Sequence, residues 1–189
     1  MKIYIIIVLI LITTISCKAQ QVIPVENQID YKDKEIEFPE GVYIKDVNNV
    51  LDKYIGVWKG TYNFKNYEFK VSKVTKQSNI STLKLDKLLI RYKITAANGL
   101  VLENTLNFPD YDIRIIEGRY LAKSGGYVLS YVENTDCGHG GDLYMSVYNS
   151  TNTKAVISLT SDGEYNFDKC PNGQTPPLLP TKDMQITKQ

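Results

Sequence analysis

The sequence is short of the residues that metal, redox and nucleic-acid chemistry draw on: it holds one histidine, three cysteines and no appreciable excess of either charge. Without Lys2, which lies in the leader described below, 21 Lys and Arg stand against 21 Asp and Glu. A protein so balanced has no net field to gather a polyanion, which speaks against nucleic acid as a partner. His139 with Cys137 and Cys170 falls short of a usual tetrahedral zinc set, and Asp136 and Asp142 match no calcium loop in spacing or number. No metal or cofactor is expected. No apolar run reaches the roughly 20 residues that a membrane-spanning helix takes. At 189 residues the chain reads as one domain around one core.

What is present at the N-terminus is a secretion leader. One positive charge at Lys2 precedes a short apolar run that ends at Thr13 and Thr14, the layout of a cleavable signal peptide. The Ile15-Ser16-Cys17 sequence that follows resembles a bacterial lipobox, in which the cysteine sulfur takes a diacylglycerol and the chain is cut just before it. Thr14 stands where that pattern usually has leucine. The resemblance implies a signal peptide over residues 1–16, lipidation at Cys17 and attachment to the membrane through that lipid. The competing layout is cleavage after Ala19 by a peptidase that needs small residues one and three positions before the cut. Lys18, Ala19, Gln20 and Gln21 lack the acidic cluster that surface-displayed lipoproteins of Bacteroidota tend to carry. By that resemblance the expected location is the outer membrane, facing the periplasm, with secretion or surface exposure as the alternative.

With Cys17 set aside, Cys137 and Cys170 have only each other, and in an oxidising compartment a disulfide between them is expected. Closing that loop removes unfolded-state entropy equivalent to roughly 3–4 kcal/mol.

Residues 17–44 show no sustained apolar period and read as an exposed, lipid-anchored tether. Residues 45–54 place Val47, Val50, Leu51 and Tyr54 at helical intervals after Asp46, predicting a short helix. From there on, frequent Gly, Asn, Asp and Pro separate runs rich in Tyr, Val, Ile, Thr and Phe. Trp58, Tyr62 and Phe64 share one face of the first run; Tyr67, Phe69 and Val71 share one face of the second; Leu88, Ile90, Tyr92 and Ile94 share one face of the third. This period of two is that of half-buried antiparallel strands. Asn98-Gly99 joins the third run to residues 100–108 and is the strongest hairpin signal in the chain. Further strands are expected over 113–121, 127–132, 142–148, 154–160 and 183–187, with a proline-rich loop over 171–180 before the last. Eight or nine antiparallel strands in sequence predict an all-β domain over residues 45–189, a closed barrel with a β-sandwich as the alternative.

Gly56-Val57-Trp58 resembles the Gly-x-Trp signature that opens the lipocalin barrel, where the tryptophan plugs the closed end. The arginine that stacks on it from the last strand of that family is missing here. The chain has only Arg91, Arg114 and Arg119, which leaves Lys182 or Lys188 as poor substitutes. Residues 136–142 read as a tight glycine turn, through Gly138, Gly140 and Gly141, with His139 exposed at its tip. No nucleophile accompanies that histidine, so proton transfer is not assigned to it. Asp110, Asp112 and Glu117 lie around the Pro109 break and read as solvated loop carboxylates rather than a glycosidase pair. No enzymatic activity and no catalytic residue are expected.

The Ser16-Cys17-Lys18-Ala19-Gln20 start, residues 51–60 and residues 179–189 together resemble a group of small uncharacterised lipoproteins of flavobacteria and related Bacteroidota. That resemblance implies a location and not a reaction. The expected function is a non-enzymatic binding protein for a small apolar or amphipathic ligand. Its inward-facing ligand set would be Trp58, Tyr62, Phe69, Tyr92, Leu102 and Leu129, drawn from a chain with 14 tyrosines, whose rings are apolar and whose tips are polar. The alternative is an interaction or inhibitor lipoprotein that meets an envelope protein through the disulfide-fixed loop near Gly138–Gly141.

Overall fold

The computed structural model describes residues 20–78, 82–134, 137, 139–161, 168–171 and 176–189. The signal segment over 1–16, Cys17, the alternative cut at Ala19, and Asp136 and Gly138 lie outside the described residues.

Alternating side chains form strands that lie side by side because each inward residue meets an inward residue of its neighbour. β3 (Gly56–Tyr62) and β4 (Lys65–Gln77) pair Trp58 with Phe69, and β4 pairs Phe69 with Tyr92 of β5 (Lys84–Ala96). On the same face Tyr67 meets Ile94 and Val71 meets Ile90. The Asn98-Gly99 turn forms as expected, with Gly99 in the left-handed region at φ 89°, and leads into the short β6 (Val101–Asn104). β7 (Ile116–Leu121), β8 (Tyr127–Asn134), β9 (His139–Val147), β10 (Lys154–Ser161) and β11 (Met184–Lys188) complete the wall. The order β5-β4-β3-β11-β10-β9-β8-β7 returns to β5, so eight antiparallel strands close on themselves as a lipocalin-like barrel and the β-sandwich is not formed.

Two seams hold the closure. β11 meets β3 through Thr187 opposite Lys59 and Lys188 opposite Trp58, and β7 meets β5 through Glu117 opposite Leu89 and Ile116 opposite Ile90. Gly118, next along β7, sits where only glycine fits: a Cβ there would lie 2.6 Å from the Tyr127 hydroxyl oxygen and 2.8 Å from the Leu88 carbonyl. Gly118→Ala is therefore expected to cost about 1–3 kcal/mol by forcing the seam apart. Urea unfolding of the variant checks this, and an unchanged midpoint would remove the seam from the account of closure.

Inside the barrel Trp58, Phe69, Ile90, Tyr92, Ile94, Leu129, Tyr131, Leu143, Met145 and Ile157 join one buried cluster. Both ends are covered. At one, Tyr54 donates its hydroxyl hydrogen to the Gly125 carbonyl at 2.6 Å. At the other, the Tyr67 hydroxyl donates to the Leu178 carbonyl at 2.9 Å, and Leu179 is buried beside it.

The N-terminal region departs from expectation. From Val22 onward it is part of the fold and not a tether. β1 (Val22–Pro24) pairs in parallel with β2 (Tyr43–Lys45), and β2 pairs in parallel with Lys84 and Leu85 of β5. Between them a helix, α1 (Gln28–Asp33), lies against β7. Ile23, Val25, Ile29, Val42 and Ile44 are buried by these contacts. Strands of three residues are too short to show a period, which is why composition alone read as linker.

The helix expected over 45–54 is also absent. Asp46 is buried and draws the backbone N–H groups of Val50 and Leu51 onto its carboxylate at 2.8 and 3.2 Å, while Asn49 adopts φ 55°. A side chain that takes backbone amides competes with helix formation, and a left-handed residue interrupts it. Only a 3-10 turn remains, at Asp52–Tyr54. The strand expected over 100–108 stops at Asn104, because Thr105 turns its N–H and hydroxyl onto Tyr92 instead.

Candidate functional site

Four of the six residues expected to line a ligand cavity, Trp58, Phe69, Tyr92 and Leu129, are buried in the barrel's single core cluster. Tyr62 and Leu102 are partly buried and pack against the same cluster. Trp58 donates its indole N–H to the Tyr54 carbonyl at 2.7 Å, and the Lys188 ammonium stands 4.9 Å from its ring centroid. Lys188, from the last strand, is held there by its hydrogen bond to the Lys53 carbonyl at 2.9 Å. Desolvation lowers the pKa of Lys188 from the ordinary lysine value.

The tyrosines of the interior are polar groups withdrawn from water. Burial pushes the Tyr67 hydroxyl up to about 12, with the neighbouring Tyr62 adding to the shift. Burial raises Tyr54 and Tyr127 further still. Such groups stay neutral in the folded state while an unfolded tyrosine ionises near pH 10, so their stabilisation is complete below about pH 10 and is lost as pH rises toward the folded values. Unfolding is expected to become steeply pH-dependent above about pH 10, with tyrosinate absorbance rising together with the loss of β-sheet circular dichroism. Ionisation of the full complement of 14 tyrosines well before any unfolding would contradict this.

The Cys137–Cys170 disulfide is formed, with a Cα–Cα distance of 5.6 Å. His139 is not exposed at a loop tip: it is buried at the start of β9, opposite Asn134. Gly140 and Gly141 are likewise paired strand residues, opposite Val132 and Tyr131. The glycine-rich run reads as a turn by composition, but from His139 onward it is paired with β8.

A groove of about 770 Å³ opens on the outside of the barrel. Its floor is the outward face of β7 and β8, with Glu117, Arg119, Ser130 and Val132. One wall is α1 and the chain after it, with Gln28, Lys32 and Phe38; the other is the connection from β6 to β7, which carries Tyr111 and Ile113. Tyr111 is 88% exposed and Ile113 73% exposed, unusual for apolar side chains beside a groove. Gln28 ties α1 to the floor by donating to the Arg119 carbonyl at 2.9 Å.

Every carboxylate of this region faces a cation. Arg91 pairs with Asp110, Arg114 with Asp112 at 3.1 Å, and Arg119 with Asp142. Glu117 is shared, with one oxygen 3.0 Å from the Lys76 ammonium and the other 2.7 Å from that of Lys87. Burial works to raise the Glu117 pKa, but the hydrogen bonds and charges of the two lysines outweigh it and hold the group below the usual glutamate value. Asp110 and Asp112 are thus loop carboxylates that are ion-paired as well as partly solvated, while Glu117 belongs to β7. Lys32 lies 4.9 Å over the Tyr120 ring. Among the described residues, no group of three or more His, Cys, Asp or Glu side chains gathers as a metal site.

Sequence reasoning missed the groove, whose basic residues come from α1, β4, β5 and β7. One signal was present: Leu88-Leu89-Ile90 and Tyr127-Val128-Leu129 are apolar on both faces, and Leu89 and Val128 are buried on the outer side. Barrel strands are apolar outside where something covers them.

Fold and groove together define a small antiparallel eight-stranded barrel, filled by its own side chains and carrying its open concavity on the outer wall. The chain belongs to a family of unknown function, DUF6705, whose model matches residues 1–154. No curated protein and no solved structure matches it.

Proposed function

We propose that this protein is an exported, lipid-anchored, non-enzymatic binding protein of the periplasmic face of the outer membrane, and that a small amphipathic ligand occupies the outer groove rather than the barrel interior. The observation that carries the reading is the contrast between a core of interlocked side chains and an open groove of about 770 Å³ flanked by exposed Tyr111 and Ile113. Concave sites that combine apolar walls with a few polar groups are the usual places for small ligands. The non-enzymatic reading is supported by the ion pairing of Asp110, Asp112 and Glu117 and by the burial of His139 in β9. The export reading is supported by the leader and by the disulfide, which belongs to an oxidising compartment.

The test is mass spectrometry on protein purified from its own membrane. A diacylglycerol mass on Cys17 under denaturing conditions is expected, together with a small molecule retained only in the native spectrum. Ser130→Trp fills the groove from its floor and is expected to abolish the retained mass, whereas Leu129→Ala, on the opposite face of the same strand, is expected to leave it. A mature chain that begins after Ala19 would sink the anchor. A retained mass indifferent to Ser130→Trp would sink the groove.

A further inference from the structure

We infer that the groove selects an amphipathic organic anion, with a carboxylate or phosphate head held by the ammonium groups of Lys76 and Lys87 and an apolar tail laid against Phe38, Tyr111 and Ile113. The inference rests on the proposal that the groove is the binding site and names the chemistry of its ligand.

Asp110 is matched by Arg91, Asp112 by Arg114, which also stands 3.9 Å from Glu103, and Arg119 by Asp142, so these groups add no positive surplus. Asp30 and Asp33 of α1, which are not among the residues lining the groove, share the one ammonium of Lys123 at 3.5 and 2.7 Å. What remains is one carboxylate, Glu117, between two ammonium groups, with Lys32 above Tyr120 nearby. Among the residues that line the groove, the cations Lys32, Lys76, Lys87 and Arg119 stand against the carboxylates Asp110, Asp112 and Glu117, an excess of one positive charge.

Lys87 is the more telling of the two lysines. Its side chain is only 16% exposed and its hydrogen-bond partner is an oxygen of Glu117, which Lys76 shares. Lys76 donates to Glu117 and to the Asp110 carbonyl at 3.1 Å. An ammonium has three hydrogens to donate, so Lys87 keeps two and Lys76 one for a ligand oxygen or water. Ion pairs formed where water is partly excluded are stronger than the same pairs in bulk water. The exposed ring of Tyr111 and the side chain of Ile113 stand beside these charges and supply the apolar half of the site. A neutral or cationic amphiphile would gain from that half only.

The experiment uses the full chain carrying Cys17→Ser, so that no attached lipid competes, with calorimetric titration of dodecyl phosphate, laurate, dodecyl maltoside and inorganic phosphate below their micellar concentrations. Dodecyl phosphate and laurate are expected to bind and the maltoside and inorganic phosphate not to. Lys87→Met is expected to weaken the two anions roughly tenfold, as loss of a partly buried charge pair does. Glu117→Gln removes the competing carboxylate and is expected to tighten them by roughly fivefold, a direction that damage to the fold would not produce. Thermal unfolding of each variant confirms that it is folded. Equal binding of the maltoside would overturn the anion assignment and leave the groove as the site. Inorganic phosphate binding as well as dodecyl phosphate would overturn the amphipathic part. Failure of every amphiphile to bind would overturn both this inference and the groove.

Discussion

Trp58→Ala is expected to cost the folded state about 3–5 kcal/mol, the range for removing a large aromatic side chain from a packed core. Trp58 has no exposed surface, and its loss leaves the Tyr54 carbonyl without the indole donor 2.7 Å away. The effect reaches past the cavity. β11 is joined to β3 through Lys188 opposite Trp58 and Thr187 opposite Lys59, with the Gln189 N–H reaching the Val57 carbonyl at 2.9 Å. Lys188 lies over the indole ring and loses that ring with the substitution. Trp58→Phe keeps a ring for Lys188 but not the donor, and an intermediate loss is expected. Urea denaturation at neutral pH measures both. A loss below about 1 kcal/mol for the alanine variant would mean that Trp58 is not central to closing this end of the barrel.

Removing the disulfide is expected to be nearly as damaging. Cys137 and Cys170 are 33 residues apart in sequence. Freeing a loop of that length returns chain entropy to the unfolded state worth about 3–4 kcal/mol at room temperature. The link runs from the β8–β9 connection to the segment that follows β10, so it ties together the parts of the chain on either side of the paired β9 and β10. The double variant Cys137→Ser, Cys170→Ser and the reduced natural protein are expected to lose stability by similar amounts in chemical denaturation. If both match the oxidised protein, the unfolded chain gains nothing on release and the disulfide has another role.

These two effects act on different terms, one on packing in the folded state and the other on the breadth of the unfolded state. They involve opposite ends of the barrel, so they are expected to add in a combined variant.

Much of the fold was readable in the sequence because antiparallel strands write their inward face directly into a period of two. Trp58, the Tyr67-Phe69-Val71 face, and the Leu88-Ile90-Tyr92-Ile94 face all point inward as the alternation requires. Asn98-Gly99 placed a turn by its own backbone preference. The pairing of Cys137 with Cys170 followed from the absence of any other partner. Where local signals compete, the reading failed. Asp46 took the amides that a helix over 45–54 needed, and Gly140 and Gly141 were absorbed into a strand although glycine usually marks a turn.

The candidate site was much less legible. Glu117 is on β7, Lys76 on β4 and Lys87 on β5, and no spacing along the chain relates them; they meet because β7 folds back onto β5 to close the barrel. The walls of the groove depend on α1 and on the segment before β7, whose positions are set by what they pack against. The sequence by itself thus determined the strands, their inward faces, the turn at Gly99 and the choice of disulfide partners, since each is encoded by neighbouring residues or by simple lack of alternatives. The tertiary structure alone decided the closure of the ring, the packing of residues 22–45, the burial of His139, the seating of Lys188 on Trp58 and the charge pattern of the groove. Each of these is a meeting of distant segments, and local backbone preference carries no information about which distant segment will arrive.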